Sequence, residues 1–257
     1  MLELQHIDKT FFRGTVNEKV LFDNFNLTVA DGQFVSVVGS NGSGKTTLLN
    51  IVSGDMPIDG GTIALNGQPL NRLRNFKRAR HIARVFQDPA MGTCPSMTIF
   101  ENLSVADNKL KAYNLTGGLN LKRKEFYQQQ LEQLGLGLEN RLDTRAANLS
   151  GGQRQALALI MATMVPPDLL LLDEHTAALD PKSGDIVMEL TQKIVESMHI
   201  TTLMVTHNLR YAANFGDRAV MMHEGNIVLD VAGEDKKNTA IDDYLKLFNE
   251  ISIECGN

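Results

Sequence analysis

Residues 34–54 read FVSVVGSNGSGKTTLLNIVSG. Phe34 to Gly39 is a nearly unbroken apolar run, which suits a strand covered on both faces. Apolar residues resume at helical density after Thr46 and stop at Gly54, a glycine placed to end a helix. Between these two elements, Gly39-Ser40-Asn41-Gly42-Ser43-Gly44-Lys45-Thr46 fits G-x-x-x-x-G-K-[ST], and Thr47 follows. The glycines let backbone N–H groups turn inward around a polyphosphate. A helix beginning near Lys45 aims its positive end at the same anion. Lys45 can reach the β- and γ-phosphates, and Thr46 can offer its hydroxyl to Mg²⁺.

A second stretch complements the first. LLLLDE, residues 169–174, buries four leucines and then releases Asp173 at the carboxyl end of a strand, where ligands of such sheets bind. Asp173 is placed to hold Mg²⁺ through water. Glu174, next along, can face the γ-phosphate and polarise an attacking water.

Working outward, about the first 35 residues predict antiparallel β structure. Leu2, Leu4 and His6 alternate, as do Phe25, Leu27 and Val29 before the Asp31-Gly32 turn. A short hairpin is expected over Gly60-Gly61 and TIALNGQPL, residues 62–70. The run Arg72, Arg74, Lys77, Arg78, Arg80, His81 and Arg84 reads as the solvated basic face of a helix. IARVFQDP predicts a strand ending at Pro89. Residues 90–148 read as mainly helical, interrupted at Gly117-Gly118, and a helix begins near Gly151. Residues 182–198 are helical, TTLMVTH (201–207) is a third central strand, and a hairpin turns at Glu224-Gly225. The tail sets Ile241, Tyr244, Leu245, Phe248 and Ile251 on one helical face. Strands alternating with helices predict an α/β core with a parallel sheet, an N-terminal antiparallel β subdomain, and a helical subdomain inserted at about 90–165. The reading is a single cassette over 1–232 with a short helical tail over 233–257.

Composition limits the function. The chain of 257 residues carries a net charge of −5 with 43% apolar residues, ordinary for a soluble globular protein and weakly against general nucleic-acid binding. The most apolar stretch, Ala156 to Leu172, is broken by Thr163, Pro166, Pro167 and Asp168, short of the roughly 20 apolar residues of a bilayer span. The N-terminus lacks a signal-peptide pattern. Cys94 and Cys255 form no CxxC pair, so no zinc site or disulfide is expected.

Two further segments narrow the family. Leu149-Ser150-Gly151-Gly152-Gln153 reads as a second glycine turn at a helix start, with Ser150 as its cap, and so as another anion-binding helix N-terminus. With Gln87 after a strand, AALD at 177–180 and His207 at a strand end, the chain resembles the nucleotide-binding subunit of an ATP-binding cassette (ABC) transporter. LSGGQ is that family's signature. The resemblance covers about residues 2–232, with the motifs in family order.

The resemblance implies a P-loop NTPase core and an ATPase. It implies a homodimer in which the P-loop of one chain faces the signature residues Ser150, Gly151, Gly152 and Gln153 of the other, with two ATP molecules between them. Phe11 falls where the family stacks an aromatic on adenine, with Phe12 as the neighbouring alternative. Gln87 resembles the glutamine that contacts Mg²⁺ and the water and senses the membrane partner. Asp180 resembles the aspartate that crosses the dimer interface, and His207 the histidine that bonds the γ-phosphate. Two departures stand out. His175 occupies the usual place of a proline; a neutral imidazole can replace that ring sterically, so hydrolysis is expected to be retained, and the ring is free in principle to titrate near its reference pKa of about 6.5. Ala156 and Met161 stand where two arginines are common.

The expected function is therefore ATP hydrolysis driving solute import through a separate membrane permease. An extracytoplasmic solute-binding protein is implied indirectly, and the chain lies at the cytoplasmic face of the cell membrane. DPAMGTCPSMTIFENL and DEHTAALDP resemble an importer subgroup for amino-acid-type or aromatic solutes. The alternatives are an efflux or lipoprotein-extrusion ATPase, or a soluble ABC ATPase. A kinase-like phosphotransferase fits poorly with LSGGQ and His207. No nucleic-acid partner and no regulatory β-domain are expected. Met91, Pro95, Met97, Ile99 and Phe100, within 88–102, either form a groove for a permease helix or pack the subdomain.

Overall fold

Alternation in β7 (Leu169–Asp173) divides the core. Leu169 and Leu171 pack on one side of the sheet, and Leu170 and Leu172 on the other. A strand with period-two side chains and no polar residue among its first four can only be central. The computed structural model of the chain describes residues 1–111, 117–239 and 241–254.

The larger sheet has the order β10-β9-β3-β8-β7-β6. Its strands are β3 (Phe34–Gly39), β6 (Ile82–Val85), β7, β8 (Thr201–Val205), β9 (Arg218–His223) and β10 (Asn226–Ala232). All neighbouring pairs are parallel except β9–β10, the hairpin expected at Glu224-Gly225. A smaller antiparallel sheet has the order β2-β1-β4-β5, from β1 (Leu2–Phe11), β2 (Lys19–Val29), β4 (Gly60–Leu65) and β5 (Gln68–Pro69).

Helix α1 (Lys45–Ser53) lies between the two sheets. Leu48, Leu49, Ile51 and Val52 share one core with Leu2, Leu4, Phe22, Leu27, Val35 and Val37. Gly54 closes α1 at φ 90°, with its N–H on Asn50 O and Ile51 O, the αL ending expected of that glycine. On the opposite face of the large sheet lie α5 (Gly151–Thr163) and α6 (Pro181–Met198), joined by α3 (Ile99–Asp107) and α4 (Lys124–Glu132). α3, α4 and α5 occur in sequence between β6 and β7. Short helices α2 (Asn75–Arg78), α7 (Leu209–Asn214) and α8 (Gly233–Asn238) complete the described chain with α9 (Ile241–Glu254).

Four readings of the sequence need correction. His6 does not continue the inward alternation of Leu2 and Leu4. It is exposed at φ 52°, the β1 register shifts between Leu4 and Ile7, and Ile7 takes the buried place. The strand of IARVFQDP ends at Val85 rather than Pro89, which opens a 3₁₀ turn. The basic run is not one solvated face. Arg78 is buried and donates to Ile51 O and Val52 O at the end of α1, while Arg84 lies in β6. In the tail, Tyr244 is buried and Phe248 packs beside it, but Ile241 and Leu245 are exposed. The Ile251 side chain lies outside the described residues.

Candidate functional site at the carboxyl ends of four strands

Four parallel neighbours, β3, β8, β7 and β6, deliver the predicted residues at one edge of the sheet. The glycine turn follows β3, His207 lies just past β8, Asp173 ends β7 with Glu174 next, and Gln87 lies just past β6. In open α/β sheets this edge is where ligands bind.

The turn itself is built for close backbone approach. Gly39, Gly42 and Gly44 have φ of 152°, 79° and 105°. A Cβ on Gly39 would stand 2.1 Å from Met222 O, whereas beside Gly42 there is open space. Ser43 Oγ is buried and has no hydrogen-bond partner, an orphan donor inside the loop. Ser40 and Thr47 are half-buried, and Asn41 and Thr46 are exposed. The Lys45 side chain is buried and folds back, its Nζ donating to Gly39 O at 2.8 Å and Ser40 O at 2.9 Å. Burial lowers its pKa below the ordinary lysine value, and the nearby negative charge of Glu174 opposes that shift.

Glu174 sits at φ 47°, an αL position uncommon for a residue with a side chain, and its N–H is held by Val205 O at 2.9 Å. Its Oε1 lies 2.6 Å from His207 Nε2. Asp173 accepts from Arg84, a partner that sequence reading missed. The signal was in the strand register: Arg84 pairs with Leu171, and Asp173 lies two residues further on the same face.

Gln87 is exposed. The backbone before it is tied to α5, since Gln155 Nε2 donates to Phe86 O at 3.0 Å. Ser150 caps α5 in a capping box: its Oγ accepts from Gln153 N, and Gln153 Oε1 accepts from Ser150 N. Ser150 and Gly151 are exposed and Gly152 is buried, where a Cβ would meet Ser183 Cβ at 3.1 Å. Asp180 caps α6 by accepting from Ser183 N, and this bonding lowers its pKa. That is a structural duty beside the one the family implies.

His175 overturns an expectation. It is buried against α6, and burial lowers its pKa to about 4 rather than leaving it near 6.5. Thr191 Oγ1 spends its proton on Val187 O at 2.7 Å, so His175 must donate from Nε2 across 3.2 Å. The ring is neutral in the pH range of a cell.

Phe11 is half-buried at the end of β1, packed against the core, with Lys9 Nζ 5.5 Å from its ring centroid. Phe12 is 69% exposed at φ 52°. Near Gln87 the two alternatives for residues 88–102 divide. Ile99 and Phe100 are buried in the subdomain core, while Met91, Pro95 and Met97 are exposed. The groove beside them is lined instead by Phe76, Ala83, Phe86, Val105, Ala158 and Met161, with a volume of about 700 Å³.

Comparison with known proteins identifies the family. The ABC transporter family model matches residues 22–177. A tyrosine transport ATP-binding protein of Clostridioides difficile is 48% identical over 248 residues, 96% of this chain and 98% of that protein. The spermidine/putrescine import ATP-binding protein of Haemophilus influenzae is 34% identical over 231 residues, 90% of this chain and 57% of that protein. A dimeric ATP-binding cassette in a post-hydrolysis state, bound to ADP and Pi, superposes with a TM-score of 0.75 at 29% identity, covering 90% of this chain and 98% of that one. With a glycine turn after β3, an Asp-Glu strand end and a capped LSGGQ helix on the fold of those relatives, the chain belongs to the ABC transporter family and is its ATP-binding, ATP-hydrolysing cassette.

Proposed function

We propose that this cassette is the ATPase subunit of an importer, working as a homodimer that closes on two MgATP and drives a separate membrane permease. The observation that carries the dimer is an incomplete site. The chain has two anion-accepting helix starts, α1 and α5, but Glu174 and His207 accompany only the first. At the start of α5, Ser150 and Gly151 are exposed, and Gly152 behind them is buried beside Ser183. A second chain facing it completes both sites by an isologous twofold contact.

The donor set fits Mg²⁺ only when nucleotide is present. Among the described residues no group of three His, Cys, Asp or Glu could hold a metal. Thr46, Gln87 and Asp173 supply oxygens that phosphate oxygens must complete, which is the habit of Mg²⁺ at nucleotide sites. Bound there, the ion neutralises charge on the β- and γ-phosphates. Lys45 exchanges Gly39 O and Ser40 O for phosphate oxygens, and the N–H groups of 39–47 cradle the same anion. Glu174 takes a proton from the attacking water as its oxygen bonds to the γ-phosphorus and the bond from that phosphorus to the bridging oxygen breaks, releasing ADP. His207 releases Glu174 and donates to the γ-phosphate. Ser150, Gly151, Gly152 and Gln153 receive that phosphate from the opposite chain, and Asp180 meets the partner across the interface. Phe11 stacks on adenine.

Similarity along nearly the whole chain to a protein named for tyrosine transport supports an amino-acid-type or aromatic solute. An extracytoplasmic solute-binding protein delivers it. In this reading the permease is a separate polypeptide and the cassette binds peripherally at the cytoplasmic face; no helix among the described residues is long and apolar enough to cross a membrane. The groove around Phe76 and Val105 receives a short permease helix. The test is purification of the tagged chain from membranes. A polytopic membrane protein whose complex hydrolyses ATP faster with tyrosine-loaded binding protein supports the proposal. Recovery with ribosomes or DNA and without a permease overturns it.

A further inference from the structure

Arg84 of β6 is held at four points. Nη2 donates to Asp173 Oδ2 at 2.6 Å. Nη1 donates to Asn50 Oδ1 on α1 at 2.8 Å and reaches Asp55 Oδ2 at 3.2 Å. The guanidinium carbon lies 4.9 Å from the Phe86 ring centroid. The side chain is 11% exposed, and its Nε is buried with no hydrogen-bond partner. Such an arginine is fixed in one orientation.

Its partner has one firm tie. Asp173 ends β7, where a carboxylate can turn about a broad, roughly two-fold torsion. A short charge-assisted bond to Oδ2 removes that freedom and leaves Oδ1 without a protein donor among the described residues. Carboxylates that serve metals are commonly oriented in this way by a hydrogen-bond donor behind them. Asp55 and Asn50 share the guanidinium, which lessens the conflict between its charge and an incoming cation. Arg84 also lines the groove with Phe86, so one side chain lies between that groove and Asp173.

We infer that Arg84 is a positioning residue for Asp173, fixing the carboxylate by its Oδ2 edge so that Oδ1 meets the cation brought by the nucleotide. The inference rests on the reading that Asp173 serves MgATP. A purely structural role is the competing account: Arg84 would only staple β6 to α1.

The experiment measures the affinity of the whole chain for a fluorescent ATP analogue, with EDTA and with saturating Mg²⁺. The ratio of the two reports the contribution of the metal. In Arg84→Ala the ratio is expected to fall about tenfold, with metal-free binding within about twofold of the parent. Arg84→Lys, which keeps a cationic donor, recovers part of the loss. Asp173→Asn is the reference. An unchanged ratio in a folded Arg84→Ala, with a lowered one in Asp173→Asn, overturns the role of Arg84 and leaves Asp173 in place. No change in either variant overturns both. Should Arg84→Ala not fold, Arg84→Gln carries the same comparison, with the same outcomes deciding it.

Discussion

His207 Nε2 and Glu174 Oε1 stand 2.6 Å apart, across the ends of neighbouring strands β8 and β7. Each is the other's partner. Both are proposed to serve the γ-phosphate end of ATP, where contacts with phosphate would replace this one. His207→Ala should lower turnover about 100-fold or more, the usual loss when one donor to developing charge is removed. Nucleotide binding should stay within about tenfold. Steady-state phosphate release beside a binding titration checks both parts.

Ser150 separates folding from assembly. Ser150→Ala removes a cap and should cost about 1 kcal/mol of stability, read from a denaturant midpoint. Ser150→Arg should place a bulky cation where the opposite nucleotide is received. It should bind ATP normally yet remain monomeric by light scattering with ATP present.

His175 makes stability depend on pH. Its folded pKa is about 4, below the unfolded value of about 6.5. Between these values the unfolded chain binds a proton that the folded chain refuses. The contribution is therefore full above pH 6.5 and is lost as pH falls toward 4, by up to about 3 kcal/mol. His175→Asn should flatten this part of the stability profile. Urea midpoints from pH 7 to pH 4.5 are the measurement.

The groove can be tested without entering the core. Phe76 is 63% exposed on its wall, so Phe76→Asp should fold, bind ATP and fail to assemble with the permease. Phe100 is buried with its ring 5.5 Å from Tyr127, and Phe100→Asp should cost about 3 kcal/mol or more. Co-purification and melting curves distinguish the two.

Much of the site was legible because its residue types have few other uses in those positions. A glycine turn between an apolar strand and an apolar helix, and an Asp-Glu pair after four leucines, announce the element, and the proposed chemistry rests on them. Other features depended on contacts that sequence spacing does not contain. The slip that puts Ile7 in the core and His6 outside is a β-bulge within an otherwise regular alternation. Ile99 and Phe100 turn inward because Thr98 and Glu101 cap α3 and set its phase. Arg84 read as one charge in a basic run until the β6–β7 register set it beside Asp173. His175 read as a ring in a proline's place, with nothing in the spacing to show that α6 covers it.

The central claim is that one chain holds half of each catalytic site. Glu174→Gln with ATP tests it most directly, by light-scattering mass and phosphate release on the same sample. The account predicts a doubled mass that persists, with turnover reduced at least about 100-fold. A variant that stays monomeric with ATP bound, or hydrolyses it at the parent rate, would contradict it.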